Sequence, residues 1–232
     1  MFDRLELLVG NSTINKLKKT HVVVLGLGGV GGYVLESLVR SGIGEVTIID
    51  NDTVDITNIN RQIIAKSNNI GSYKTLEFEK RIKEIRSDIK VNVITEYIDE
   101  SNLDIIFSKD IDYLVDACDS FKTKCLIIKK CLDLDIRFIT CTGTGNKMNP
   151  SKLQISDIRK SVNDPLAKKI RKYIKDNNIK GKVPCVYSTE VPLRKGSVIG
   201  SNSFVPCSAG LLITSYIINN IWEECKDEDI KM

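Results

Sequence analysis

Short apolar runs recur between residues 21 and 141 and are separated by longer, more polar stretches. Each run is rich in β-branched residues and is bounded by polar or turn-forming residues, which is typical of a buried strand. The predicted strands are Val22–Leu25, Val46–Ile49, Val91–Thr95, Tyr113–Asp116 and Arg137–Cys141.

The stretches between these runs have the apolar spacing of amphipathic helices. In Lys74–Arg86 the apolar residues fall on one helical face among charges, and Val34–Ser41 and Phe121–Leu134 show similar spacing. Strands that alternate with helices predict an α/β fold with a Rossmann-like, doubly wound and mostly parallel sheet.

The two ends of the chain follow other patterns. Residues 1–20 are predicted to be helical, with a break at Gly10. The region after Cys141 is predicted to begin with an exposed strand, Lys152–Ile158, which extends the sheet in antiparallel fashion. A basic helix, Asp164–Asp176, and a long, partly mobile loop, residues 177–203, are predicted to follow. An apolar helix, Ala209–Glu223, and a frayed end, Lys226–Met232, complete the prediction.

We expect one domain spanning residues 1–232. It would consist of an N-terminal helical segment (1–20), a nucleotide-binding core (21–145) and an extension (146–232) for substrate and dimer contacts.

The most specific motif is a glycine-rich turn, Gly26-Leu27-Gly28-Gly29-Val30-Gly31-Gly32, between the first predicted strand and the first helix. Glycines let the backbone approach a phosphate, which the helix N-terminus also attracts. Asp50 ends the next strand, roughly 20 residues further on, where a carboxylate accepts hydrogen bonds from ribose hydroxyls. The predicted nucleotide-binding residues are Gly26, Gly28, Gly29, Gly31 and Asp50; the alternative is a glycine-rich turn with no ligand.

A second polar group follows the ribose carboxylate. It consists of Asp52, Asn58, Arg61, Gln62, Lys74 and Asp119. Arg and Lys neutralise phosphate oxygens and a carboxylate can hold Mg²⁺, so this group suits ATP bound with Mg²⁺. Asp119 follows the fourth predicted strand, at the edge where open α/β sheets bind ligands. Arg61, Gln62 and Lys74 argue against a nicotinamide dehydrogenase.

These residues also have structural interpretations. Arg61 could pair with Asp52 or Asp55 on a surface loop, and Lys74 could be a solvated lysine in the first turn of its helix. Asp119 could cap the helix that follows it, because Asp favours that position.

Two further titratable residues are expected to be structural. Asp116 lies at the end of a predicted strand, and His21, the single histidine, lies at the start of one. Histidine acid–base catalysis is therefore not expected.

Composition and charge limit the partners and the cellular location that we expect for the protein. Hydrophobic residues make up 42% of the 232 residues and the formal net charge is +4, which permits an anionic partner without requiring one. The sequence has no signal-peptide pattern and no apolar run that reaches a membrane span, so we expect a cytoplasmic protein with no transmembrane segment. The 7 cysteines are an odd number without a secretion signal, which argues for reduced thiols. They form no C-x-x-C pair, which argues against structural zinc.

One cysteine and one helix have further functional interpretations. Cys185 lies in the predicted loop, where an exposed thiol could accept sulfur or form a covalent intermediate; the alternative is a buried thiol. The basic helix could follow the phosphates of tRNA, or it could be an ordinary solvated face. The residues proposed for tRNA binding are Lys168, Lys169, Arg171 and Lys172.

The ordered motifs resemble the ubiquitin-activating-enzyme-like adenylating family, which includes the activators of molybdopterin and thiamine sulfur carriers. The matching motifs are GxGGxGG at residues 26–32, T-N-x-N-R-Q at 57–62, I-G-x-x-K at 70–74 and D-x-x-D-S at 116–120. The resemblance implies that Asp50 binds ribose, that Asn58, Arg61 and Lys74 contact the triphosphate, and that Asp119 holds Mg²⁺. It also implies a homodimer in which Arg4 reaches the partner's nucleotide and acts in catalysis with Arg61, Lys74 and Asp119.

Three further stretches narrow the resemblance to the tRNA threonylcarbamoyladenosine dehydratases. They are Ser161–Lys168, Cys185–Glu190 and Gly200–Pro206. The resemblance implies ATP-dependent adenylation of the threonylcarbamoyl carboxylate of a tRNA adenosine, followed by ring closure with loss of AMP. The alternatives are an ATP-dependent activator of a ubiquitin-like sulfur carrier and a non-catalytic nucleotide-binding partner in sulfur transfer. A cysteine desulfurase or sulfur acceptor would be a further partner; DNA is not expected.

Overall fold

Strands and helices alternate along the chain as the hydrophobic pattern predicts. The computed structural model describes residues 1–194 and 199–229, with only the backbone for 227–229. The strands are β1 (His21–Leu25), β2 (Glu45–Ile49), β3 (Lys90–Ile94), β4 (Tyr113–Asp116), β5 (Arg137–Cys141), β6 (Leu153–Asp157) and β7 (Pro184–Ser188). The helices are α1 (Asp3–Val9), α2 (Asn11–Leu17), α3 (Gly31–Arg40), α4 (Lys74–Ile85), α5 (Phe121–Asp133), α6 (Pro165–Asp176) and α7 (Phe204–Asp229).

All seven strands form one sheet in the order β3-β2-β1-β4-β5-β7-β6. Every neighbouring pair is parallel except β6 and β7, which run antiparallel. The strand order reverses between β1 and β4, so the sheet is doubly wound with its switch point at the ends of these two strands. The predicted fold class, including the antiparallel extension, is confirmed.

Two apolar cores cover the two faces of the sheet. Side chains of α2, α3 and α7 form one core with β1 and β2, and side chains of α5 and α6 form the other with β4 and β5. All five residues of β1 are buried, because helices lie against both of its faces. Burial on both faces explains the continuous apolar runs that marked the strands in the sequence.

Helix α7 is longer than its apolar pattern predicts. It begins at Phe204 instead of Ala209, and it continues to Asp229 where the sequence predicts fraying from Lys226; residues 230–232 lie outside the described part of the chain. Within the described residues it is the one helix long and apolar enough to cross a membrane by length and composition. Its apolar residues include the buried Ile213, Ile217 and Ile221, and the helix packs against α2 and α3.

The predicted loop at 177–203 is wrong in its central part. Strand β7 lies inside this stretch, is buried along its whole length and sits between β5 and β6. Prolines and glycines on both sides of the strand gave the stretch the composition of a loop. Pro184 is tolerated because it is the first residue of the strand. Residues 195–198 of the predicted mobile loop lie outside the described part of the chain.

Strand β7 also decides the state of Cys185. Its side chain is fully buried, with Sγ 3.6 Å from Thr142 Oγ1. Burial raises the pKa of this thiol to about 12, so it stays protonated and unreactive. The suggested role of Cys185 as an exposed sulfur acceptor is therefore wrong, and the interpretation as a buried thiol is confirmed.

Candidate active site

A cleft opens at the carboxyl edge of the sheet, where the ends of β1, β2 and β4 meet. Its volume is about 680 Å³. The cleft brings together most of the predicted ligand-binding residues: Gly26, Gly28, Gly29, Asp50, Asp52, Asn58, Arg61, Gln62, Lys74 and Asp119. Gly31 and Arg4 do not line it, and neither do the basic residues of α6.

The glycine turn has two parts with different roles. Gly26 has a φ of +88°, and a Cβ there would lie 2.8 Å from the backbone nitrogen of Cys118. A Cβ at Gly31 would lie 1.8 Å from the carbonyl oxygen of Gly26, so these two glycines let backbone segments pack together. A Cβ at Gly28 would meet only the Gln62 side chain, at 3.8 Å. A Cβ at Gly29 would lie 3.3 Å from Arg61 Cγ and from Pro206 Cβ, so Gly28 is the open position of the turn, whereas Gly31 shapes the turn from behind.

Asp50 joins the glycine turn to the end of β2. Its carboxylate accepts hydrogen bonds from the backbone nitrogens of Leu27, at 2.6 Å, and Asp52, at 2.8 Å. Burial raises the pKa of Asp50, and the nearby ammonium of Lys74 partly opposes this rise. Each carboxylate oxygen has a second lone pair, so Asp50 retains acceptor capacity for a ribose hydroxyl.

Lys74 is a buried cation that lines the cleft. It is the first residue of α4, it is only 4% exposed, and its Nζ lies 2.7 Å from Asp52 Oδ2. The Asp52 side chain is 60% exposed, so the ion pair is open to solvent on the cleft side. The alternative of a solvated first-turn lysine is wrong, because α4 turns this residue towards the sheet.

Arg61 lies on the cleft wall without a carboxylate partner. Its Nη1 donates to the carbonyl oxygen of Thr57 at 2.8 Å and to Asn60 Oδ1 at 3.0 Å. Within the described residues it forms no ion pair, so the suggested pairing with Asp52 or Asp55 is wrong. The guanidinium charge is available to an anion in the cleft.

The turn that carries Arg61 is fixed by two reciprocal caps. Asp55 Oδ1 accepts from the backbone nitrogen of Thr57 at 2.8 Å, and Asn58 Oδ1 accepts from the backbone nitrogen of Asp55 at 3.2 Å. Asn58 is buried, so its amide has a structural role in addition to lining the cleft.

Gln62 lines the cleft and carries a buried acceptor without a partner in the described structure. It is 6% exposed, and its Oε1 atom has no hydrogen-bond partner in the described structure. An orphaned buried acceptor costs about 1–3 kcal/mol, so such a group is normally satisfied by a ligand or by water. The hydroxyl and amino groups of a nucleotide are donors of the required kind.

Asp119 lies on the turn between β4 and α5 with its side chain exposed to the cleft. Ser120, and not Asp119, caps α5: its Oγ accepts from the backbone nitrogen of Thr123 at 3.3 Å. The alternative of Asp119 as the helix cap is therefore wrong. Asp116 is structural as predicted, since it is fully buried against Lys124.

The structure adds cleft residues that the sequence analysis did not name. Tyr97 follows β3 and is 53% exposed, with its hydroxyl 3.2 Å from Ser120 Oγ. Thr144 follows β5, and Ser201 precedes α7. The rule that ligands bind at carboxyl strand ends could have identified Tyr97 and Thr144. Ser201 lies in the Gly200–Pro206 stretch that the resemblance singled out, but no local pattern predicts that this stretch reaches the cleft.

His21, the only histidine, is the first residue of β1, at the opposite end of the strand from the glycine turn, and it is buried. Its Nε2 lies 2.8 Å from Thr47 Oγ1, and its Nδ1 lies 2.6 Å from the carbonyl oxygen of Asp110. The predicted structural role is confirmed.

The basic helix α6 presents fewer free cations than its sequence predicts. Lys168, Lys169 and Lys172 are exposed. Arg171 instead turns back, and its Nη1 donates to the Ser161 carbonyl at 2.7 Å and to Ser161 Oγ at 2.6 Å. The helix packs against the start of α5, because the rings of Tyr173 and Phe121, the first residue of α5, form a T-shaped pair with their centroids 6.4 Å apart.

A doubly wound sheet with a glycine turn, a ribose-type carboxylate and two cations at its switch point defines a nucleotide-binding α/β protein. Residues 2–190 match the ThiF family, and the chain belongs to that family.

Three similar proteins are tRNA threonylcarbamoyladenosine dehydratases, and two of them align with nearly the whole chain. The tRNA threonylcarbamoyladenosine dehydratase of Bacillus subtilis is 34% identical, and the alignment covers 99% of this chain and 98% of that protein. The dehydratase of Haemophilus influenzae is 40% identical over 77% of this chain and 71% of its own. The structure of the Escherichia coli dehydratase TcdA in complex with ATP has a TM-score of 0.92 and 33% identity, covering 97% of this chain and 95% of that one.

Proposed function

We propose that this protein is an ATP-dependent tRNA threonylcarbamoyladenosine dehydratase. The observation that carries the proposal is the meeting of Asp50, Arg61, Lys74 and Asp119 in one cleft at the switch point of the sheet. The similarity to dehydratases along almost the full chain supports the same reaction.

The cleft residues divide into groups that suit the parts of ATP. Asp50 would accept hydrogen bonds from the ribose, and the orphaned Gln62 Oε1 would accept another from the nucleotide. Gly28 and Gly29 line the cleft, and their backbone would let phosphate approach the N-terminus of α3. Arg61, Lys74 and the amide of Asn58 would contact the triphosphate, and Gly31 would act only through the shape of the turn.

The residues present also fit a Mg²⁺ ion, with Asp119 as its protein ligand. Magnesium prefers oxygen ligands and commonly binds through one or two carboxylates together with substrate phosphates. The exposed Asp119 carboxylate faces the cleft that the phosphates would occupy. A bound Mg²⁺ would neutralise the charge that develops on the phosphates.

The proposed reaction has two steps. A carboxylate oxygen of the threonylcarbamoyl group attacks the α-phosphorus of ATP, which forms an acyl-adenylate and releases pyrophosphate. A nucleophilic atom of the neighbouring carbamoyl group then attacks the acyl carbon, loses its proton, and expels AMP as the ring closes. Arg61 and Lys74 would stabilise negative charge in the first step, because fixed cations act strongly in a partly desolvated site.

The only cysteine that lines the cleft in the described structure does not suit covalent catalysis. Burial and the neighbouring Asp116 carboxylate raise the pKa of the Cys118 thiol well above its usual value. Thiols react as thiolates, so a protonated Cys118 is a poor nucleophile. This supports direct ring closure by the substrate without an enzyme thioester.

The exposed lysines of α6 would bind the tRNA backbone. Lys168, Lys169 and Lys172 lie on a helix whose Tyr173 packs beside the start of α5, close to the turn that carries Asp119. A basic surface beside the cleft could hold tRNA while one modified adenosine enters. Arg171 would contribute less, because it is engaged with Ser161.

A homodimer is the proposed assembly, with Arg4 reaching the partner's cleft. Arg4 lies on α1 beside Leu7 and Leu8, which are 86% and 77% exposed. Exposed apolar side chains of this size are typical of interaction surfaces. Mixing Arg4→Ala and Lys74→Ala proteins should restore part of the activity, because one mixed site keeps both residues. Failure to recover activity despite subunit exchange would place Arg4 outside the partner's site.

Two further expectations stay predictions. A cytoplasmic location suits an enzyme that acts on tRNA, and cell fractionation would test it. A sulfur-transfer partner has lost its first candidate acceptor, because Cys185 is buried.

The direct test incubates the purified protein with ATP, Mg²⁺ and tRNA that carries threonylcarbamoyladenosine. Nucleoside mass spectrometry after mild digestion should show loss of one water from the modified adenosine, together with release of AMP and pyrophosphate. If ATP–pyrophosphate exchange instead requires a carrier protein with a C-terminal glycine, the chain is a sulfur-carrier activator. If no exchange occurs with either substrate, it is a non-catalytic nucleotide-binding protein.

A further inference from the structure

A fully buried ion pair lies directly beneath the turn that carries Asp119. Lys124 and Asp116 are both 0% exposed, and Lys124 Nζ lies 3.0 Å from Asp116 Oδ2. Removing two charges from water costs several kcal/mol per ion, and well-packed apolar residues often stabilise a protein equally well. Stability alone therefore does not account for an ion pair at this position.

The pair is part of a hydrogen-bond network that joins the ends of β4 and β5. Lys124 Nζ also donates to the Asp116 carbonyl at 3.2 Å and to Thr140 Oγ1 at 3.0 Å. Thr140 Oγ1 donates to Asp116 Oδ2 at 2.7 Å. Asp116 and Thr140 are paired residues of the two strands. The network therefore fixes two strand ends that lead directly into the cleft, at Asp119 and Thr144.

The same network holds the backbone of the turn. Asp116 Oδ1 accepts from the backbone nitrogen of Cys118 at 3.3 Å, one residue before Asp119. On the other side, the backbone nitrogen of Ala117 donates to the Leu25 carbonyl at 2.8 Å, and Gly26 packs against Ala117 and Cys118. The turn is thus held between the glycine turn above and the ion pair below.

Asp119 itself has no hydrogen bond or ion pair to its side chain within the described residues. The direction of its carboxylate is therefore set by the backbone of the turn and not by side-chain contacts of its own. Burial alone would lower the pKa of Lys124, but the Asp116 charge outweighs this effect and raises it above its usual value. Lys124 consequently stays charged at neutral pH.

We propose that Lys124, Asp116 and Thr140 are positioning residues that orient Asp119 towards the metal-bound phosphates of the nucleotide. This inference rests on the proposed ATP reaction. It assigns to the network the orientation of Asp119, which no contact of the Asp119 side chain provides within the described residues. A purely structural network would affect folding stability alone.

The experiment compares wild type with Lys124→Met, the double variant Asp116→Asn/Lys124→Met, Thr140→Val and the control Lys129→Met. Lys129 is an exposed lysine on the same helix. Three properties are measured: urea stability, ATP affinity by calorimetry with and without Mg²⁺, and single-turnover rate with modified tRNA. Hydrogen exchange of the Cys118–Ser120 amides reports the order of the turn directly.

We expect Lys124→Met to lose stability, because it leaves a buried carboxylate unpaired, and the double variant to recover most of that loss. In the double variant the Mg²⁺-dependent gain in ATP affinity and the single-turnover rate should both be about tenfold lower, as for other residues that orient a metal ligand. ATP affinity without Mg²⁺ should stay within about twofold, and the Cys118–Ser120 amides should exchange faster. Lys129→Met should match wild type.

A double variant with wild-type rate and wild-type Mg²⁺ dependence would overturn the proposal and leave the network a structural role. If the charge variants do not fold, Thr140→Val decides, because it removes one hydroxyl at nearly constant volume; unchanged Mg²⁺ dependence in that variant would equally overturn the proposal. Failure of the wild-type protein to bind ATP would instead contradict the proposed function, so the two failures are distinguishable.

Discussion

Two lysine–aspartate pairs lie at the carboxyl edge of the same sheet and differ in their access to water. Lys74 Nζ lies 2.7 Å from Asp52, whose side chain is 60% exposed, whereas Lys124 Nζ lies 3.0 Å from a fully buried Asp116. Each lysine belongs to the first turns of a helix and each aspartate lies at or just after a strand end. The two pairs consist of the same chemical groups, so any difference in their roles comes from the difference in their exposure to water.

The difference follows from the dielectric surroundings of the two carboxylates. Asp52 can remain hydrated, so Lys74 can exchange this partner for a phosphate at little cost. Asp116 has no contact with water, so Lys124 cannot leave it without stranding a buried charge. The open pair therefore suits ligand binding, and the closed pair suits the positioning of its neighbours.

The largest expected effect is on stability. Lys124→Met should lower the free energy of unfolding by about 3–5 kcal/mol, because it leaves Asp116 buried and unpaired. Lys74→Met should lower it by at most about 1 kcal/mol, since Asp52 keeps its water. Urea unfolding of both variants measures the difference, and equal losses would show that the two pairs are energetically alike.

Catalysis should depend on the two lysines in the opposite order, so that Lys74→Met lowers activity more than Lys124→Met does. Lys74→Met should lower kcat/KM for ATP by about 10²–10³-fold, because it removes a fixed cation that stabilises charge in the transition state. Steady-state kinetics with saturating modified tRNA test this, and the exposed Lys66→Met serves as the matched control. Near-normal kinetics of the Lys74→Met variant would show that Lys74 does not stabilise the transition state.

The proposed role of Asp119 as the Mg²⁺ ligand can be tested separately from the two ion pairs. Asp119→Asn should raise the Mg²⁺ concentration for half-maximal activity by about 10–100-fold, while urea stability stays at the wild-type value because the side chain is exposed. Asp133→Asn, an exposed change at the other end of α5, is the control. Unchanged Mg²⁺ dependence would mean that Asp119 is not the ligand and that the network beneath it orients another group.

The smallest effect concerns the basic helix. Replacing Lys168, Lys169 and Lys172 together by Gln should lower the slope of log tRNA affinity against log salt by about one unit per lost phosphate contact. Arg171→Gln alone should leave that slope nearly unchanged, because its guanidinium is bonded to Ser161. Filter binding at several salt concentrations measures both variants. A triple variant with the wild-type slope would make this helix an ordinary solvated face.

The sequence analysis was most accurate where a local pattern and a tertiary requirement coincide. The glycine turn, Asp50, Arg61 and Lys74 were identified because strand, turn and helix signals appear in the order that the fold needs. The predicted loop was wrong at β7, where Pro184 and the surrounding glycines resemble a loop although the strand is buried between β5 and β6. Burial of that strand depends on β5 and β6, which lie far away in the sequence.

The alternation of strands and helices, the glycine turn and the residue types of the cleft could be predicted from the sequence, because they depend on short-range periodicity and backbone freedom. Which groups are buried became known from the folded chain. The fold separated the open pair of Lys74 from the closed pair of Lys124, bonded Arg171 to Ser161 and enclosed Cys185. Burial sets the energy of a charge or a thiol, and burial is fixed by contacts between residues distant along the chain.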